Sequence, residues 1–327
     1  MKALRQRCAI CLFAIALYSA GPTTAQTLYF TAIPDQDETR LQARFDAVAD
    51  YLSDTLGVDT RFVPVKSYAA SVSAFRNNQV QLGWFGGLSG VRAQQLVPGS
   101  HAIAQGRDDP TFRSYFIASV DSGIAPGDKL PGSLRGVNFT FGSRGSTSGR
   151  LMPEYFLRQR FGAAPAAVFE RVGYSGNHTR TVALVESGAY QAGALNYRVW
   201  ESLVENGEVD TDRVRVIWKS PTYPDYHWVI RGDVDDRFGA GFSDRVRQAL
   251  LDLRDPDLLA RFPRKGFIPA DNKDFRPILD TARETSGPVC DLVQPGQPGV
   301  AVRPRRSRYR GAAGSARPAA AAPAPRG

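Results

Sequence analysis

Residues 141–150 read FGSRGSTSGR, with three consecutive hydroxyls at Ser146, Thr147 and Ser148 between Gly145 and Gly149. The residues before them, 134–140 (LRGVNFT), alternate in the manner of a strand, and those after, 151–161 (LMPEYFLRQRF), repeat apolar side chains at helical spacing. A glycine-serine turn between strand and helix serves three chemistries. A nucleotide-cradling loop requires a lysine before its closing Ser or Thr, and this turn has none. A nucleophile elbow, GxSxG, places serine where this chain has Thr147, which leaves an esterase- or phosphatase-like hydrolase as a poor fit. An anion site needs only free backbone N–H groups, the positive end of a helix dipole and neutral hydroxyl donors, all of which the turn supplies. A helix cap alone would use one hydroxyl and leave two unexplained.

Composition narrows the setting. Residues 1–25 run from Lys2, Arg5 and Arg7 through an apolar stretch, residues 8–18 (CAICLFAIALY), to small residues, the layout of a cleavable secretory signal with its cut after Ala25. The apolar stretch is short of the roughly 20 residues that span a bilayer, which predicts a soluble mature protein exported to the periplasm. Of the net charge of +9, the signal carries +3 and residues 287–327 carry +6, because seven Arg there face Asp291 alone. Nothing is left for residues 26–286, so no nucleic-acid partner is expected. Cys8, Cys11 and Cys290 lie outside that body, and the three histidines, His101, His178 and His227, are not at ligand spacing; no metal and no cofactor is expected. The tail, 287–327, rich in Arg, Ala and Pro, cannot bury enough apolar surface to offset its ordering and is expected to be disordered.

The body alternates short strands with amphipathic helices. Residues 28–33, 58–63, 81–85, 169–174, 192–195 and 214–218 read as strands, and residues 41–56, 71–76, 178–187 and 197–204 as helices. This is an α/β pattern with largely parallel sheets, whose ligands bind beyond the carboxyl ends of the strands. The polar turns around GSTSG, Ser175-Gly176-Asn177 and residues 219–226 (KSPTYPDY) would then converge on one cleft.

Four stretches together, residues 68–92 (YAASVSAFRNNQVQLGWFGGLSGVR), GSTSGRLMP, SGNHTRTVALV and KSPTYPDYHW, resemble the periplasmic phosphonate-binding proteins of ABC importers. The likeness covers residues 27–283 and is nearest to a branch described as selenate-binding, with phosphite and phosphate binders close by. It implies a type II periplasmic binding protein fold: two α/β lobes joined by two crossover strands, near residues 116–120 and 219–227, with a ligand cleft between them. Lobe 1 would comprise 26–118 and 226–286, and lobe 2 residues 119–225. It also implies a monomer that delivers a small oxyanion to membrane permease and ATPase subunits and is not an enzyme; an anion-sensing domain of a signalling system would share the site.

By the same resemblance, Ser146, Thr147, Ser148 and Gly149 hold the oxyanion, Tyr68 reaches it from the other lobe, and His178 opens the next helix. Phe85 stands where relatives carry a tyrosine and is placed with the ligand-binding residues, as a core or cleft-wall ring that lacks the hydroxyl. The carboxylates that hold an amine in relatives are replaced by Thr179 and Gln191, which argues against aminoalkylphosphonates and for a tail-free oxyanion. Asp225, beside Tyr226, decides between ligands. Facing the cleft, it would accept the proton of a hydrogen phosphate or phosphite; capping a hinge turn, it would leave a donor-only site suited to selenate.

Overall fold

The computed structural model describes residues 26–262 and 264–286; the expected signal segment and tail lie outside them. In chain order the elements are β1 (Leu28–Ala32), α1 (Glu38–Leu56), β2 (Thr60–Phe62), α2 (Tyr68–Arg76), β3 (Leu82–Phe85), α3 (Gly87–Leu96), β4 (His101–Gly106), β5 (Ser114–Ser119) and β6 (Asn138–Phe141). There follow α4 (Met152–Phe161), α5 (Pro165–Val168), β7 (Arg171–Tyr174), α6 (His178–Glu186), β8 (Ala192–Asn196), α7 (Tyr197–Glu205) and β9 (Val214–Lys219). The chain ends with β10 (His227–Ile230), α8 (Val234–Phe238), α9 (Phe242–Asp252), α10 (Pro256–Arg261), β11 (Phe267–Pro269) and α11 (Arg276–Ser286).

Local chemistry accounts for the element that opens the first lobe. Asp37 caps α1 by accepting from the Thr39 and Arg40 amides, and Gly57, at φ 66°, ends it in the left-handed region that glycine tolerates best. Between these stops Leu41, Phe45, Val48, Ala49 and Leu52 form the buried face read from the sequence. The Leu, Phe and Val side chains each contribute about 1.5–3 kcal/mol by leaving water.

The strands form two sheets, β11-β4-β10-β3-β1-β2 and β7-β6-β8-β5-β9. Each sheet has a parallel half, β2-β1-β3 in one and β7-β6-β8 in the other, and an antiparallel half. The sheets are therefore mixed rather than largely parallel. The reason is the crossing of the chain: β5 enters the second sheet antiparallel to β8 and β9, and β10 returns to the first antiparallel to β3 and β4.

The switches lie between Gly106 and Ser114 and between Lys219 and His227. Since Ser114–Ser119 is already a strand of the second sheet, the first switch precedes the expected boundary after residue 118. Phe112 and Tyr223 exchange backbone hydrogen bonds of 2.9 and 3.0 Å, tying the two crossings together. One core packs around Phe45, Trp84, Trp228 and Phe262, and two smaller ones cover the faces of the second sheet. No described helix is long and apolar enough to cross a membrane.

Candidate functional site

Four helix starts meet between the sheets. Ser146 Oγ accepts from the Gly149 amide at 2.9 Å, and residues Thr147–Leu151 form one wide π turn ahead of α4, with the Leu151 amide bonded to the Ser146 carbonyl at 3.0 Å. That widening leaves the first amides of the turn splayed, a distortion common at functional sites. Opposite stands the start of α3. Its Leu88 amide donates to Thr147 Oγ1 at 2.9 Å, and its Gly87 amide donates to Asp225 Oδ1 at 2.8 Å. Tyr68 begins α2 behind its cap Ser67, and His178 begins α6 behind its cap Asn177. The positive ends of four helix dipoles thus surround one point, with Asp225 among them.

Glycines permit this approach. A methyl on Gly149 would stand 2.9 Å from His178 Cε1 and 3.0 Å from Ser146 Oγ, and one on Gly145 would stand 2.9 Å from Tyr68 Cβ. A methyl on Gly86 would lie 3.1 Å from Asp225 Oδ1 and 3.3 Å from Thr147 Oγ1. Only hydrogen fits between the four starts.

The side chains are buried and their polar atoms are incompletely used. Tyr68 Oη, Ser148 Oγ, His178 Nε2 and Asp225 Oδ2 are each buried without a hydrogen-bond partner in the protein. Buried polar groups are normally paired, so four orphans in one cluster define a set of unspent donors and one acceptor. The tautomer of His178 follows from its neighbour. Its Nδ1 accepts the Asn196 amide at 3.3 Å, so the proton of the neutral ring sits on Nε2 and points outward as a donor. Burial lowers the His178 pKa to about 4, with Asp35 opposing, which keeps the ring neutral. Burial also raises Tyr68 well above the usual phenol range, helped by Asp35 and Asp225. The Ser146 hydroxyl acts on it in the opposite sense, although it makes no hydrogen bond of good geometry with Tyr68.

Asp225 is the acceptor. Burial raises its carboxyl pKa to about 7, against the Gly87 amide and the Thr147 hydroxyl, which favour the charged form. Its side chain lies among the helix starts rather than capping a hinge turn.

Several expectations need correction. The Phe85 ring packs edge-on against Phe75 with centroids 5.6 Å apart and fills the space above Gly83, so it belongs to the core and not to the cluster. Strand alternation turns it away, while the Gly87 and Leu88 amides that follow hold Asp225 Oδ1 and Thr147 Oγ1 in place. Gln191 bonds the Asn138 amide at 2.8 Å at the start of β8, the end of the strand opposite the cleft. Thr179 lines a cavity outside the cluster. Tyr226 donates to Asp35 Oδ2 at 2.7 Å and accepts from Asn196 Nδ2 at 3.2 Å.

Asp35 itself escaped the sequence reading. It follows β1 and its carbonyl accepts the His178 amide at 3.0 Å, so its backbone links the lobes, while its side chain accepts from Tyr226. Its signal was present: an acid placed just past a strand's carboxyl end, where α/β lobes bind their ligands. The cleft therefore holds two carboxylates, Asp35 and Asp225. A cavity of about 390 Å³ adjoins the cluster, lined by Ser67, Ser143 and Asn177 beside the helix starts and by Lys66 and Arg180 further out.

This architecture matches known proteins. The family model described as ABC transporter, phosphonate, periplasmic substrate-binding protein matches residues 30–275. The probable ABC transporter phosphite binding protein PhnD1 of Prochlorococcus marinus (strain MIT 9301) is 40% identical over 260 residues, 77% of this chain and 88% of that one. The phosphate-import protein PhnD of Mycolicibacterium smegmatis is 25% identical over 289 residues, 82% of this chain and 86% of its own. The solved structure of P. marinus PhnD1 in complex with methylphosphonate aligns with a TM-score of 0.77, covering 80% of this chain and 99% of that one. The chain belongs to the family of phosphonate-type periplasmic substrate-binding proteins of ABC transporters.

Proposed function

We propose that this member of the phosphonate-type binding family is the monomeric periplasmic subunit of an ABC importer and captures a small tetrahedral phosphorus oxyanion of the phosphite or methylphosphonate kind. The observation that carries the reading is Asp225: Oδ1 is engaged by the Gly87 amide, while Oδ2 is buried and unpaired among donors. A site with that acceptor needs one proton shared between anion and carboxylate. A phosphorus oxyanion near neutrality brings such a proton; selenate and sulfate bring none, and bind only when Asp225 is itself protonated. The preference is therefore for the phosphorus anion over selenate.

The donors fit that charge. Tyr68 Oη, Ser148 Oγ, His178 Nε2 and the amides of the π turn offer hydrogen bonds worth roughly 1.5–3 kcal/mol each to a charged acceptor before desolvation. Asp35 is engaged by Tyr226, so it is not a free counter-ion for an alkylammonium tail.

The hydrolase reading lacks a serine nucleophile with a histidine base. Thr147 Oγ1 is occupied by the Leu88 amide, and the His178 nitrogen that lacks a proton is occupied by the Asn196 amide. Titration calorimetry with phosphite, methylphosphonate, phosphate, selenate and sulfate tests the reading. One-to-one binding of methylphosphonate tighter than that of selenate is expected at pH 7, where methylphosphonate still carries its proton; tighter binding of selenate there would refute it.

A further inference from the structure

Tyr226, Asp35 and Asn196 are shared between the donor cluster and a second cavity of about 310 Å³. Five arginines line it, Arg40 and Arg44 from α1, Arg198 from α7, Arg261 at the end of α10, and Arg264, against Asp35 as the one lining acid. Three of the five are already matched: Arg40 with Glu208, Arg198 with Asp108 and Arg264 with Asp109. Arg44 and Arg261 make no ion pair with a carboxylate among the described residues. Arg44 Nε donates instead to the Arg261 carbonyl at 2.6 Å.

The cost of this arrangement falls on Arg44. Burial pushes its guanidinium below the ordinary range, Asp35 opposes that shift, and the charge of Arg264 adds to it. Two unmatched guanidinium groups in a concave, half-buried site favour an anion, which they can bind in bidentate fashion. Asn196, Ser202 and Gln36 add neutral polar groups to the same wall, and the buried Trp84 ring forms its floor beneath Arg264, 5.6 Å from the ring centroid. The volume is at the small end of the roughly 300–1,000 Å³ range of ligand pockets. It exceeds what one tetrahedral oxyanion fills.

We propose that this arginine-lined cavity is a second anion site, adjoining the donor cluster but with its own binding groups, for a small anion carrying two or more acidic groups, of the pyrophosphate or polycarboxylate kind. Arg40, Arg44 and Arg261 come from the first lobe and Arg198 and Ser202 from the second, so an anion there touches both lobes.

The test is titration of the full chain with pyrophosphate and, separately, with citrate, in wild type and in Arg44→Gln, Arg261→Glu and Thr147→Ala. Arg261 is exposed at a helix end, so its variant keeps the fold even if Arg44→Gln does not. One-to-one binding of either probe, weakened at least tenfold by Arg261→Glu and by a folded Arg44→Gln but unchanged by Thr147→Ala, is expected. Binding of pyrophosphate alone assigns a polyphosphate ligand and of citrate alone a polycarboxylate. No binding of either probe, binding indifferent to the arginine variants, or binding lost in Thr147→Ala overturns the proposal.

Discussion

Replacing Asp225 by Asn changes one atom's protonation chemistry and leaves the shape of the site intact, so it isolates the role assigned to that carboxylate. In the native chain the carboxyl pKa rises from 3.8 to about 7 on folding. A raised carboxyl contributes stability that is fully present below about pH 4 and is lost as pH rises to 7. The difference of about 3 units is worth about 4 kcal/mol as an upper bound, at 1.36 kcal/mol per unit. Asparagine does not titrate, and its oxygen still accepts the Gly87 amide, with about 1 kcal/mol lost because the acceptor is now neutral. Asp225→Asn is therefore expected to match wild type within about 1 kcal/mol at pH 4.5 and to exceed it by about 3 kcal/mol at pH 8. The buried histidines act equally on both proteins and cancel in the comparison. Urea denaturation of the ligand-free proteins at the two pH values measures this. The same variant places an amide donor where Oδ2 stood, so selenate affinity at pH 8 should rise at least tenfold while that for protonated methylphosphonate at pH 7 falls. Equal stability at pH 8 together with unchanged selenate affinity would show that Asp225 neither bears the burial penalty nor faces the anion.

Other perturbations address the donors. Thr147→Ala removes the acceptor of the Leu88 amide that joins the lobes, and Tyr68→Phe removes a buried hydroxyl; each should weaken methylphosphonate binding at least tenfold in calorimetry without loss of cooperative unfolding. Gly149→Ala places a methyl 2.9 Å from His178 Cε1 and should destabilise the fold by about 1–3 kcal/mol in the same denaturation assay. His178 and His227 are both lowered by burial from 6.5 to about 4, so each contributes stability that is present above pH 6.5 and is lost as pH falls toward 4, up to about 3 kcal/mol apiece. His178→Gln should flatten that acid limb in thermal melts between pH 7 and pH 4.5.

What the sequence disclosed and what it withheld divide along a physical line. Contacts encoded within one strand-turn-helix unit were legible. The hydroxyl run, its glycines and the helices they open all declare themselves in a dozen residues, and the apolar face of α1 appears in the structure residue for residue. Contacts made by a chain that changes sheets were not. β10 is buried at all four positions, so HWVI carries no alternation, and nothing in it marks the reversal that places it between β3 and β4. That reversal is what carries Asp225 and Tyr226, the two residues just before β10, into the space between the lobes.

The donors supplied by α3 were hidden for another reason. They are backbone amides of Gly87 and Leu88, which have no side-chain signature, and the eye falls on the aromatic ring of Phe85 instead. These two helix-start amides position Asp225 and Thr147, a role that depends on N–H geometry rather than on residue type. The proposed site is four helix ends held at one point by glycines, with Asp225 proposed to set which protonation state of the anion is admitted. Residue matching could find the first part, but the second required knowing that Asp225 is buried among donors, with one oxygen satisfied and the other unpaired.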